Sequence, residues 1–178
     1  LDLDKLRQRI EKQRVQQKRI EIERLRSMVE RKITQMVAAN RTRTNYLEKF
    51  QQMIAEYNAG SLNTEELFRQ LVMLSQELQD EEKRSIRENL TEEELTIFDL
   101  LTRPDMHLSK KEEDQVKGVV KNLLEILNRE KLVLDWRKRQ QTRATVRLCI
   151  EDILDHLPEK YDKDVYQQKC ETVYQYVF

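Results

Sequence analysis

KLVLDWRKRQQTRATVRLCIEDILDHLPEKYDKDVYQQKCETVYQYVF, residues Lys131–Phe178, holds two apolar repeats of helical period separated by a proline. Stepping 100° per residue from Trp136 gathers Val146, Ile150, Ile153, Leu154 and Leu157 on one arc, the pattern of a helix that buries one stripe. Pro158 ends that helix, since proline cannot continue it. Asp162 is placed to cap the next helix, in which Tyr166, Cys170, Val173 and Val177 recur at steps of four and three along one seam.

Moving upstream, the same grammar repeats. Ser109 with Glu112 forms a capping-box signature before Val116, Val119, Val120, Leu123, Leu124 and Leu127. Gly118 lies inside this helix at a cost of about 1 kcal/mol relative to alanine, and close helix packing is the expected reason for it. Thr91 with Glu94 repeats the signature ahead of Leu95, Ile97, Phe98, Leu100 and Leu101, which are apolar nearly all round, and Pro104 closes that helix. Asn63 with Glu66 opens a third such helix, with the stripe Leu67, Leu71, Leu74 and Leu78. Its end, through DEEKRSIREN, offers only Ile86 and is expected to face solvent. Thr42 or Thr44 is expected to cap a helix with the seam Leu47, Phe50, Ile54 and Tyr57, stopped by Asn58 and Gly60. Ile22, Leu25, Val29, Ile33 and Met36 line one more. The stretch from Glu11 to Arg19 has only Val15 to bury and reads as a frayed linker after a short first helix at Leu3, Leu6 and Ile10.

Two glycines and two prolines in 178 residues, with 37% charged residues, favour long helices and leave no material for glycine-bearing hairpins. The expected fold is all-α, a multi-helix bundle of six to eight helices with an extended N-terminal helical arm. The expected division is residues 1–60 as the basic arm and linker and 61–178 as the bundle. The net charge is zero but unevenly spread: residues 1–50 carry 14 Lys or Arg against 7 Asp or Glu, and residues 51–114 carry 7 against 16. Such an arm could contact nucleic acid or be neutralised within the fold. No apolar run reaches membrane-spanning length and no signal peptide is visible, so a cytoplasmic location is expected. The first residue is leucine, which suggests a fragment of a longer polypeptide. Cys149 and Cys170 are isolated in helical seams and read as small buried hydrophobes.

The tail quoted above, together with NRTRTNYLEKFQQMIAEYNAGS at Asn40–Ser61 and LTEEELTIFDLLTRPDMHLSKKE at Leu90–Glu112, resembles the C-terminal region of HsdR, the motor and restriction subunit of type I restriction-modification enzymes. The resemblance covers Asn40 to Phe178. It implies a non-catalytic helical region that helps hold the subunit on a methyltransferase (HsdM) and specificity-subunit core. The parent would hydrolyse ATP with Mg2+, translocate DNA and cleave it in domains outside this chain, so ATP and Mg2+ are expected there and no cofactor here.

The residues agree in offering no catalytic centre. A phosphate-binding loop needs several clustered glycines, and Gly60 and Gly118 stand alone. A metal nuclease needs converging carboxylates and a lysine, for which no strand pair exists here. His107 and His156 lack any nucleophile at a defensible spacing and read as surface residues. No metal ligand set is expected.

Two surfaces remain. Arg139, Arg143 and Arg147 fall at about 300°, 340° and 20° on the wheel that starts from Trp136, overlapping the apolar arc. They require partners, either acids such as Asp99 or Glu125 inside the bundle with Trp136 offering its ring, or a docked protein or phosphate. Trp136, Arg139, Arg143 and Arg147 are therefore the candidate partner-binding residues. The alternative is nucleic-acid contact through the basic arm at Arg7, Arg14, Lys18 and Arg19, limited to the phosphate backbone because no aromatic residue is interleaved.

Overall fold

The computed structural model describes the backbone of residues 3–104, 106–133 and 140–178 and the side chains of 12–104, 106–129 and 143–178. These residues are helical with no strand: α1 (Leu3–Ala39), α2 (Thr44–Asn58), α3 (Thr64–Glu82), α4 (Arg84–Glu88), α5 (Glu92–Thr102), α6 (Lys110–Val133), α7 (Gln140–Leu154) and α8 (Lys163–Val177). The all-α expectation holds. None of the described helices is long and apolar enough to cross a membrane.

Two compact units divide at Arg84 and Ser85. The expected division after residue 60 falls inside the first unit, because the leucine stripe of α3 shares one core with α1 and α2. Ile22, Val29, Ile33 and Met36 of α1, Phe50, Met53 and Ile54 of α2, and Leu67, Leu71, Leu74 and Leu78 of α3 are all buried in a single cluster. Each fully buried leucine stabilises such a cluster by about 2 kcal/mol before entropy is subtracted. Lys18 meets Glu65 and Lys32 meets Glu82, so α1 and α3 pack directly and run parallel; Lys49 meets Glu77, so α2 runs antiparallel to them.

α1 is one uninterrupted helix of 37 residues, where a break over Glu11–Arg19 was expected. Polarity alone does not break a helix. That stretch consists of Glu, Lys, Gln, Arg and one Val with no glycine or proline, and most of these are good helix formers. The next junction also differs: neither Thr42 nor Thr44 caps α2. Asn40 instead accepts from the Thr42 backbone N–H at 3.0 Å and starts a 3-10 turn at Arg41–Arg43. Thr44 turns its hydroxyl back to the Arg41 carbonyl at 2.6 Å. Gly60, at φ 77°, takes the left-handed position that ends α2. The Ser61 N–H then reaches the Glu56 carbonyl and the Gly60 N–H the Tyr57 carbonyl, a Schellman closure.

In the second unit α5 packs on α6 and α8, and α7 packs on α6 and α8, a closed four-helix arrangement. Leu95, Leu101, Val116, Val120, Leu123, Ile150, Leu154 and Val173 are among its buried core residues. The capping boxes read at Thr91 with Glu94 and at Ser109 with Glu112 are both reciprocal. Asp162 caps α8 as expected, accepting from the Asp164 and Val165 N–H groups. The C-terminal carbonyls of α5 find donors in distant chain: Lys169 reaches those of Leu100 and Arg103 at 3.0 and 2.7 Å, and Tyr161 that of Leu101 at 3.1 Å. A cation at that pole also meets the negative end of the helix dipole. Gly118 is not at a close approach: a methyl group built there meets nothing within 4 Å.

Candidate functional site

The repeat in α7 turns Val146, Ile150, Ile153 and Leu154 inward, and Arg143 and Arg147, one turn apart, border that stripe on the side facing α8. From α8, Tyr174 and Phe178 come up one turn apart, their ring centroids 4.3 Å apart and tilted by 39°. The Arg147 guanidinium lies 5.0 Å from the Tyr174 centroid and that of Arg143 lies 5.7 Å from the Phe178 centroid. Two cations thus sit over two adjacent rings, each contact contributing about 0.5–1 kcal/mol where exposed.

Both arginines are exposed, so the seam location expected of them is not what the fold uses. Arg147 donates to Glu171 at 2.8 Å and to Glu151 at 3.4 Å, acids of α8 and α7, rather than to Asp99 or Glu125. With these side chains 39 to 50% exposed, the ion pairs orient the guanidinium more than they stabilise the fold. Trp136 and Arg139 lie outside the described residues. The strip therefore presents two arginine planes and two half-buried aromatic rings, the side-chain types that dominate binding energy at protein interfaces.

The basic arm is partly consumed within its own unit. Lys18 donates to Glu65 at 2.7 Å, which holds the Glu65 carboxyl below its ordinary range. Lys32 is bonded to Glu82, and Lys49 to Glu77 at 2.7 Å. Basic α1, and Lys49 of α2, thus set lysines against acidic α3, the local neutralisation that was one of the two readings of the charge segregation. Arg14 and Arg19 are exposed, with no ion pair or hydrogen bond among the described residues. Arg7 is on α1, but its side chain lies outside the described set.

His107 and His156 are exposed and far apart in role: the His107 carbonyl accepts from Lys160 and the His156 carbonyl from Gln115. Cys170 is buried, with burial raising its thiol pKa, and Cys149 is half-buried; both are free thiols. Among the described residues no three His, Cys, Asp or Glu side chains are grouped to hold a metal ion.

Sequence reasoning missed the buried charges of the first unit. Arg43 and Glu81 are 2% and 7% exposed and bonded at 3.0 Å, with Arg84 adding a second contact to Glu81 at 3.1 Å. Their signal was present: Arg43 extends the Leu47, Phe50, Ile54 seam by one step, and Glu81 extends the leucine stripe of α3 by one step. Lys169, similarly, lies one turn before Val173 on the α8 seam.

Comparison with known proteins places this architecture. The family model for the C-terminal region of type I restriction enzyme HindI endonuclease subunit-like proteins matches residues 2–177. A relative from Methanocaldococcus jannaschii, named as the MjaIXP endonuclease subunit of a type I restriction enzyme, is 26% identical over 110 residues, which is 61% of this chain and 10% of the relative. The chain thus aligns with about a tenth of that protein's length. No solved structure matches. The chain, all-α and matched from end to end, belongs to the family of C-terminal regions of HindI-like type I restriction endonuclease subunits.

Proposed function

We propose that this chain is a non-catalytic assembly module, which docks the ATP-dependent translocating and cleaving subunit of a type I restriction enzyme on its methyltransferase and specificity subunits. The observation that carries this reading is the strip of Arg143 and Arg147 over Phe178 and Tyr174, an arginine–aromatic surface on the α7–α8 pair with both arginines exposed. Family membership supplies the setting, an endonuclease subunit that works in a multi-subunit enzyme. Trp136 and Arg139 remain proposed as partner-binding residues on their type alone. The remaining domains of the same subunit would hold ATP and Mg2+ and engage DNA, and the assembly would work in the cytoplasm.

Titrating the chain with purified methyltransferase–specificity complex tests the reading. Binding is expected, and Arg143→Glu together with Phe178→Ala is expected to weaken it by about tenfold or more, the scale of interface hot spots. Undiminished binding by that variant would remove the strip from the interface, and no binding by the wild type would remove the function. A second reading, phosphate-backbone contact through the basic arm, draws on the exposure of Arg14 and Arg19. It predicts duplex binding that falls steeply with salt and is lost in Arg14→Glu/Arg19→Glu.

A further inference from the structure

The core stripe of α1 faces α2 and α3, and the opposite face of the same helix has a different composition. Ile20, Arg24 and Met28 follow one another at four-residue steps and form one ridge. Arg19, Glu23, Ser27 and Arg31 lie on the neighbouring ridge, and a shallow groove runs between the two. Parallel ridges separated by such a groove are the surface on which a second helix packs, ridge into groove.

Apolar side chains are unusually open here: Ile20 is 50% and Met28 66% exposed. The charges around them are unbalanced. Acidic α3 is occupied within its own unit, by Lys18, Lys32 and Lys49 along the helix flanks and by Arg43 in the core. Glu23, which also lines the groove, faces Arg26 at 3.7 Å. Arg19, Arg24 and Arg31 have no ion pair among the described residues. A ligand that satisfies this face must bring carboxylates for three arginines and apolar groups for Ile20 and Met28, spaced as helix ridges are spaced. Duplex DNA offers phosphates but nothing for the two apolar side chains.

We propose that the outward face of α1, built by Ile20, Arg24, Met28 and Arg31, docks an acidic amphipathic helix of a partner protein. This surface belongs to the first unit and stands independently of the Arg143–Phe178 strip. Recognition divides between the ridge, which buries the partner's apolar stripe, and the arginines, which set its orientation against flanking Asp or Glu.

The test uses the full chain and three probes: a synthetic helical peptide with leucine at four-residue steps flanked by glutamates, the same peptide with lysine in place of glutamate, and a short DNA duplex. By fluorescence anisotropy at physiological salt, the glutamate peptide is expected to bind and the lysine peptide and the duplex to bind far less. Arg24→Gln/Arg31→Gln is expected to weaken the glutamate peptide by about tenfold, and Met28→Ala by about threefold to tenfold. All these positions are exposed, so unchanged thermal melts are expected and would show that the fold is intact. Equal binding of both peptides, a duplex preferred over the glutamate peptide, or an affinity indifferent to Met28→Ala would overturn the proposal. Self-association through this face, abolished by Met28→Ala and not displaced by the glutamate peptide, would overturn it in favour of a second copy.

Discussion

Arg43 and Glu81 meet where two apolar seams run out, and neither is recognisable as a core residue by its type. The helical wheel places both inside, yet charge argued for solvent, and the sequence reading turned the Glu81 stretch outward and left Arg43 unassigned. Periodicity wins because each carries the other's counter-charge into the core, at 3.0 Å, with Arg84 helping to hold the carboxylate. Removing one partner strands the other: Glu81→Ala is expected to lower unfolding free energy by about 3–5 kcal/mol in urea titration, while Arg43→Met/Glu81→Leu recovers much of the loss. A loss under 1 kcal/mol for Glu81→Ala would mean that Arg43 readily finds solvent. Gly118 teaches the opposite lesson. Its place in a helix suggested a tight contact, and the space beside it is open, so Gly118→Ala is expected to stabilise the chain by about 0.5–1 kcal/mol, read as a raised midpoint.

Helix ends were the most legible elements. The signatures at Thr91, Ser109 and Asp162 correspond to side chains that accept from backbone N–H groups, because a cap is a local device encoded within four residues. The α1–α2 junction was less legible, since Asn40, Thr42 and Thr44 all qualify as caps and only tertiary burial of Asn40 selects among them. Continuity of α1 was also illegible from hydrophobic pattern, because propensity rather than packing carries its N-terminal turns. Caps have a pH signature. Glu112 is held below its ordinary value, first by the Ser109 backbone N–H, then by the Ser109 hydroxyl and Lys160. A carboxyl lowered in the folded state adds stability that is present above its unfolded value, 4.5, and is lost as pH falls through the lower folded value. Unfolding free energy is therefore expected to decline on acidification from about pH 5, and Glu112→Gln to flatten that decline while lowering stability at neutral pH. An acid slope identical in the variant would show that Glu112 is not linked to folding.

For the molecule as a whole, charge segregation and apolar patterning turned out to report on the same thing. Positive α1 and negative α3 belong to one unit, and α3's acids are met along its helix flanks by Lys18 and Lys32 of α1 and Lys49 of α2. Reading the basic stretch as a separate arm therefore put the division one helix too early. A three-helix core becomes visible only when the leucine stripe of α3 is assigned its neighbours, and no local signal does that. The two apolar clusters are distinct, one drawn from residues 22 to 78 and the other from 90 to 177. At roughly 85 to 95 residues, each unit is within the size at which single cores fold alone. The join is marked by Lys83, Arg84 and Arg87, by Ile86 at 82% exposure, and by Asn89 in the left-handed position that ends α4. Trypsin at low dose is accordingly expected to cut first at Lys83 or Arg87, the most open of these, and to leave two protease-resistant helical fragments. The isolated 90–178 fragment is expected to melt cooperatively with its helicity intact, since both capping boxes, the α8 cap and the donors to the end of α5 all lie within it. If the first cut near α4 were followed at once by digestion of both halves, the two cores would be one folding unit, because proteolysis samples the open state and neither half would then be closed on its own.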